Sequence, residues 1–227
     1  MQWVHEFDLF LFDFDGLLVN TEHLHYQAYA NMLANRGESL SWDFPTFIKH
    51  AHFSAIGLRD AIYAEYPKIY EREPRWEVLY EEKKREYFSL LKSGKVELMK
   101  GALALLHALE KAKICSVVVT NSLKEQTDAI LAQIPALHAI KHWGTREMYE
   151  KPKPDPECYL RAIELYGKKA KKIVGFEDTV KGLKALLHTP AIPVLICDSH
   201  HPQLQTQLES RVVHYESLDQ IPHAHLV

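Results

Sequence analysis

Two aspartates separated by one residue, Asp13 and Asp15, close the apolar run FDLFLF (7–12) and are followed at once by Gly16. A run so rich in Phe and Leu reads as a buried strand, and a carboxylate at the edge of a core is costly unless a partner meets it. Three further polar segments stand at comparable places. Thr120-Asn121-Ser122 ends the run CSVVV, and Glu177-Asp178 ends KIVGF. Between them, KPKPDP (151–156) leads into a helical pattern. Ligands of open parallel sheets bind outside the carboxyl ends of the strands, so these segments point to one mouth.

The residue types define the chemistry open to such a mouth. Several carboxylates at close range cannot all ionise without a cation, because each raises the pKa of the others. Oxygen ligands without His or Cys suit a hard ion, and Mg²⁺ prefers one or two carboxylates with waters and a substrate phosphate. A hydroxyl, the N–H groups of a helix N-terminus and a lysine can cradle a dianionic phosphoryl group. An aspartate placed in line can attack phosphorus and form an aspartyl-phosphate. A second aspartate can protonate the leaving oxygen and then activate water. Gly16 permits the sharp turn that this approach needs. Taken singly, each segment is also an ordinary turn, cap or solvated loop. All four in order, each at the end of its element, make the case for a site.

The elements that must position these residues are legible in outline. Short apolar runs at 9–13, 115–120, 172–178 and 192–198, with a weaker one at 139–144, read as strands of a parallel sheet covered on both faces. Amphipathic patterns at 101–113, 122–134 and 155–167 read as the helices between them. Ser122 with Glu125 has capping-box spacing, and Asp155-Pro156 marks an N-cap followed by N1. The alternation predicts a doubly wound α/β domain formed by residues 1–19 and 97–227. Residues 20–96 break the rhythm: helical patterns at 21–37 and 73–94 occur with no convincing strand, which predicts an inserted helical domain. Within it, EEKKRE (81–86) reads as a solvated face, and Trp76, Tyr80 and Tyr87 read as a core stripe.

Composition narrows the function classes. The chain of 227 residues is 47% hydrophobic and 25% charged, ordinary for a globular protein. A formal charge of −3 argues against a nucleic-acid surface. Cys115, Cys158 and Cys197 lack metal-ligand spacing, which favours a reduced, cytoplasmic setting. Acids interrupt the first apolar run, so no secretory signal or membrane span is expected. Neither His50 with His52 nor His200 with His201 has partners at zinc spacing. Nothing demands an oligomer, so a monomer is expected.

The motifs DFDGLLVNTE (13–22), VVVTNS (117–122), KPKPD (151–155) and GFEDTVKGLKA (175–185) resemble those of the haloacid dehalogenase superfamily over nearly the whole chain. More narrowly, the chain resembles the phosphatase and β-phosphoglucomutase-like branch with a helical cap after the first strand. The resemblance implies a Rossmann-like core and a Mg²⁺-dependent phosphohydrolase of a small phosphorylated metabolite such as a sugar phosphate. It implies that Asp13 is the nucleophile and Asp15 the general acid and base. Thr120 and Lys151 would bind the phosphoryl group, assisted by the backbone of Asn121, with Lys151 chosen as the first lysine of its run. Mg²⁺ would sit between Asp13, the carbonyl of Asp15 and Asp178, with Glu177 close by. In this family the cap closes over the substrate and excludes water.

The chain also departs from the family. Asn20 stands where relatives usually carry Asp, and LLHTPAIPV (186–194) replaces a run of small residues with a Gly. β-Phosphoglucomutases carry Gly-x-Ser-Arg in the cap where this chain has HFSAIGLRDAI (52–62), with Arg59 as the nearest counterpart. His25 falls where mutases, and many plain phosphatases, hold a cap-hinge histidine. The alternatives are therefore a sugar-phosphate mutase on the same scaffold and a non-enzymatic binding protein.

Overall fold

The computed structural model describes residues 1–53, 55–94, 96–199, 204 and 209–223. The stretch holding His200 and His201 lies outside the described residues. The chain divides into two compact units, Met1–Asn20 with Val96–Val227, and Thr21–Lys95.

The first unit is built on a six-stranded parallel sheet. Its strands are β1 (Leu9–Phe12), β2 (Cys115–Val119), β3 (His142–Gly144), β4 (Ile173–Glu177), β5 (Ile192–Ile196) and β6 (Val213–Tyr215). Their order is β3-β2-β1-β4-β5-β6, so the winding reverses between β1 and β4. The helices of the second unit are α1 (Glu22–Ala34), α2 (Phe44–Phe53), α3 (Ala55–Glu65), α4 (Pro67–Arg72) and α5 (Trp76–Lys92). Those of the first are α6 (Ala102–Ala112), α7 (Lys124–Leu131), α8 (Glu157–Tyr166) and α9 (Val180–Leu187). The fold is a Rossmann-like α/β core, as the strand–helix alternation predicts. The edge strand β6 is a finding that the sequence pattern did not predict.

Why β1 sits at the centre follows from its four residues. Leu9, Phe10, Leu11 and Phe12 are all fully buried, and alternate side chains of a strand face opposite sides of the sheet. The leucines pack with Val117, Val119, Tyr159 and Leu186. The phenylalanines stack on Phe176, with ring centroids 6.1 and 5.2 Å apart. Burial of such a side chain contributes about 1.5–3 kcal/mol, so β1 is a rigid base for whatever follows it. The backbone ladder extends one residue beyond the strand, where Asp13 N–H donates to the Phe176 carbonyl at 3.0 Å.

Two helix starts differ from the sequence reading. Helix α7 begins after Leu123, whose N–H donates to Gln126 Oε1 at 2.9 Å, so Ser122 is not its cap. Helix α8 begins at Glu157, with Pro156 in the cap position, while Asp155 Oδ1 still accepts the Glu157 N–H at 3.0 Å.

The second unit has its own core, including Tyr29, Met32, Leu33, Phe47, Ile62 and Leu79. The charged run on α5 is not a purely solvated face. Lys83 is buried, its Nζ 2.6 Å from His25 Nδ1 and 4.9 and 5.1 Å from the ring centres of Tyr87 and Tyr29. Glu82 binds Arg36 through two hydrogen bonds, and Glu86 accepts from Asn31 and Asn35. Tyr87 is buried and Trp76 packs against the core, whereas Tyr80 is exposed and leaves the expected stripe. Among the described residues, no helix is long and apolar enough to cross a membrane.

Candidate active site

The site forms where the sheet reverses, the crevice at which open α/β sheets bind ligands. Asp13 follows β1, Glu177 ends β4 and Asp178 comes next. All three are buried. Each offers a carboxylate oxygen, and these oxygens lie within 4.8 Å of one another.

The lysine that meets them is Lys153. Its Nζ donates to Asp13 Oδ1 at 2.5 Å, to Glu177 Oε1 at 2.7 Å and to the Val119 carbonyl at 2.8 Å. These bonds use all three protons of the ammonium. Lys151, the residue expected from the sequence, stands elsewhere: its side chain is 71% exposed and its Nζ lies 4.0 Å from Asp155. The physical reason is register. The backbone N–H groups of Glu150 and Lys151 are tied to the Glu157 carboxylate at the start of α8, which holds Lys151 on the outside. The Lys153 N–H faces Asn121 Oδ1 at 3.3 Å, which turns Lys153 inward. The run in fact contains two overlapping Lys-Pro-x-Pro patterns, 151–154 and 153–156. The pattern therefore admits either lysine, and the fold chooses between them.

Asp15 is half-buried, and its Oδ2 accepts from Ser122 Oγ at 2.6 Å and from Thr120 Oγ1 at 3.1 Å. Ser122 therefore belongs to the site, although the sequence presented it as a helix cap. Thr120 is buried at the end of β2, and its Oγ1 also accepts the Ser122 N–H at 2.9 Å. Asn121 turns its side chain to Tyr149, whose hydroxyl lies 2.8 Å from Asn121 Oδ1 and donates to the Thr120 carbonyl at 2.6 Å. Gly16 has φ 82°, a left-handed conformation that favours glycine, and its N–H donates to the Val19 carbonyl at 2.9 Å. The loop carrying Asp13 and Asp15 is thereby closed on itself. His25 and Arg59 lie in the second unit. His25 stacks on Tyr87 with centroids 4.0 Å apart, and Arg59 pairs with its neighbour Asp60 at 2.8 Å.

Electrostatics follow from burial. Desolvation pushes the Asp13 carboxyl up to about 7, against the opposing pull of Lys153. Burial works against the Lys153 ammonium, yet Asp13 and Glu177 outweigh it and raise its pKa well above the ordinary lysine value. One ammonium thus faces two buried carboxylates, with Asp178 beside them. Glu177 Oε2 is buried and has no hydrogen-bond partner among the described residues. An excess of buried carboxylate oxygen, all of it hard donor, fits a divalent cation of the Mg²⁺ type.

A parallel sheet that gathers its acids at the point of reversal presents a carboxylate-lined mouth to whatever binds there. The chain belongs to the haloacid dehalogenase-like hydrolase family, whose model matches residues 7–188, and is an enzyme of the phosphatase kind. It is 26% identical over 194 residues to the protein CbbY of Rhodobacter capsulatus, covering 78% of this chain and 80% of that one. It is 26% identical over 181 residues to a phosphorylated carbohydrates phosphatase of Thermotoga maritima, covering 77% and 78%. Among solved structures, β-phosphoglucomutase of Clostridium difficile superposes with a TM-score of 0.71 over 95% of this chain and 93% of that one, at 20% identity. That last likeness is one of fold.

Proposed function

We propose that this chain is a Mg²⁺-dependent phosphohydrolase of small phosphorylated metabolites, sugar phosphates foremost, and that it works through an aspartyl-phosphate on Asp13. The observation that carries this reading is the buried Asp13 held on one oxygen by Lys153 beside the Glu177–Asp178 pair. A phosphorylated carbohydrates phosphatase among the relatives supports the substrate class.

In this reading Lys153 occupies Asp13 Oδ1 and leaves Oδ2 to attack phosphorus in line. As the new O–P bond forms, the bond to the leaving alcohol breaks, and Asp15 supplies the proton that the alcohol carries away. Asp15, now ionised, takes a proton from water, which attacks the phosphorus and releases inorganic phosphate while Asp13 regains its carboxylate. Ser122 holds Asp15 for both transfers, while the Thr120 hydroxyl and one proton of Lys153 would exchange Asp15 and the Val119 carbonyl for the phosphoryl oxygens, assisted by the backbone of Asn121. Asp13, Asp178 and the Asp15 carbonyl would hold Mg²⁺, with Glu177 beside them. The bound ion neutralises the charge that the phosphoryl group brings to these carboxylates.

The test is phosphate release from a panel of sugar phosphates and an aryl phosphate, with and without Mg²⁺. Mg²⁺-stimulated release that Asp13→Asn abolishes is the expected result. No release by the wild type, or full turnover by Asp13→Asn, overturns the reading. Conversion of β-glucose 1-phosphate to glucose 6-phosphate in the presence of a bisphosphate primer, without free phosphate, would establish a mutase instead.

A further inference from the structure

Beneath the reacting groups lies a tyrosine that the chemistry above leaves unused. Tyr159, on the first turn of α8, is fully buried, and its hydroxyl donates to Glu177 Oε1. The same oxygen accepts from Lys153, whose ammonium also lies 4.8 Å from the centre of the Tyr159 ring. Tyr159 therefore touches both halves of the Lys153–Glu177 pair, the acid through its hydroxyl and the ammonium through its ring face.

The surroundings give this contact little freedom. The ring packs in one cluster with Leu9, Leu11, Val117 and Val119, side chains of the adjacent strands β1 and β2. Glu177 is itself fully buried, and on its other side the carboxylate lies flat against Gly182. Oε2 is unpartnered among the described residues, and the donors among them that hold the carboxylate are Lys153 and Tyr159. Of these, Lys153 is the group that must meet the phosphoryl, so the tyrosine is the fixed point from which the pair is oriented.

We propose that Tyr159 is a positioning residue for phosphoryl transfer. Its hydroxyl fixes the Glu177 carboxylate, and Glu177 in turn aims the Lys153 ammonium at Asp13. The inference rests on the phosphohydrolase reading and adds to it a residue that never meets substrate. Removing the hydroxyl alone leaves a ring of nearly the same shape in the core, so the effect falls on orientation rather than on packing. Partners of this kind cost about 10–100-fold when lost from metal sites.

The experiment is a double-mutant cycle of Tyr159→Phe and Glu177→Ala, read as kcat and KM for an aryl phosphate and as the thermal midpoint without metal. Tyr159→Phe is expected to lower kcat roughly tenfold or more with KM little changed. In the Glu177→Ala background the same substitution is expected to add almost nothing, because the acceptor that links the hydroxyl to Lys153 is gone. A folded Tyr159→Phe enzyme with wild-type kcat overturns the proposal, as do two losses that simply multiply. A wild type inert on every phosphate ester removes the phosphohydrolase reading itself. That result is separate from an active wild type in which the tyrosine is indifferent.

Discussion

Lys153 Nζ lies 2.5 Å from Asp13 Oδ1, although 140 residues separate the two in the chain. Both are buried, and a buried charge that loses its partner is left uncompensated, at a typical cost of about 3–5 kcal/mol. Lys153→Met is therefore expected to lower the thermal midpoint and to reduce kcat/KM by roughly 10²–10³-fold, the scale for removing a preorganised electrostatic partner. Lys151→Ala, at an exposed lysine, is expected to stay within about twofold of the wild type and within about 0.5 kcal/mol in stability. Phosphate release and thermal melts on the two variants check the pair of expectations. The opposite ranking would return the role to Lys151.

That contrast shows where sequence reading succeeds and where it stops. β1 was legible because four apolar residues in a row, two facing each side, can only be the middle of a covered sheet. β6 was not, because Val213, His214 and Tyr215 form a short, half-buried edge with no apolar run. Asp13, Asp15 and the Glu177–Asp178 pair could be placed at strand ends because the strands themselves could be read. Lys153 could not be separated from Lys151, since the choice depends on how α8 anchors Glu150 and Lys151 through Glu157. Lys83 was hidden in a charged run, because the groups that meet its ammonium include His25 Nδ1 and the rings of Tyr29 and Tyr87, which the fold brings to it. Tyr159 was hidden for a related reason, its partner Glu177 lying 18 residues away on another element.

The raised Asp13 pKa predicts opposite pH trends without and with metal. An unfolded aspartate ionises near 4, whereas the buried Asp13 keeps its proton until about 7. Between those values the folded state holds a proton that the unfolded state has released, so this group's contribution to stability falls as pH rises. Metal-free protein is thus expected to lose stability from about pH 4 to about pH 7 more steeply than Asp13→Asn does. A divalent cation needs the ionised carboxylate and competes with the proton, so the rise in thermal midpoint caused by Mg²⁺ should grow over the same interval. Thermal denaturation at both pH values, with MgCl₂ and with a chelator, measures both trends. A Mg²⁺ effect that is flat with pH would exclude Asp13 from the metal's ligands.

Gly182 supplies the last test, because it is a helical glycine whose replacement should do harm. An alanine in a helix interior is ordinarily better than glycine by about 1 kcal/mol. Here a Cβ would fall 1.9 Å from Glu177 Oε2 and 2.1 Å from the carboxylate carbon. A surface glutamate would swing aside at little cost, but Glu177 is fully buried and bound by Lys153 and Tyr159. The carboxylate must move, and the ammonium that it holds beside Asp13 must move with it. Gly182→Ala is expected to lower kcat about tenfold or more and to forfeit the stability that the helix would otherwise gain. In a Glu177→Ala background the clash is relieved, so the same substitution should become neutral or stabilising. Activity and thermal melts across these four proteins decide the matter, and a Gly182→Ala enzyme both fully active and more stable would show that Glu177 has room to spare.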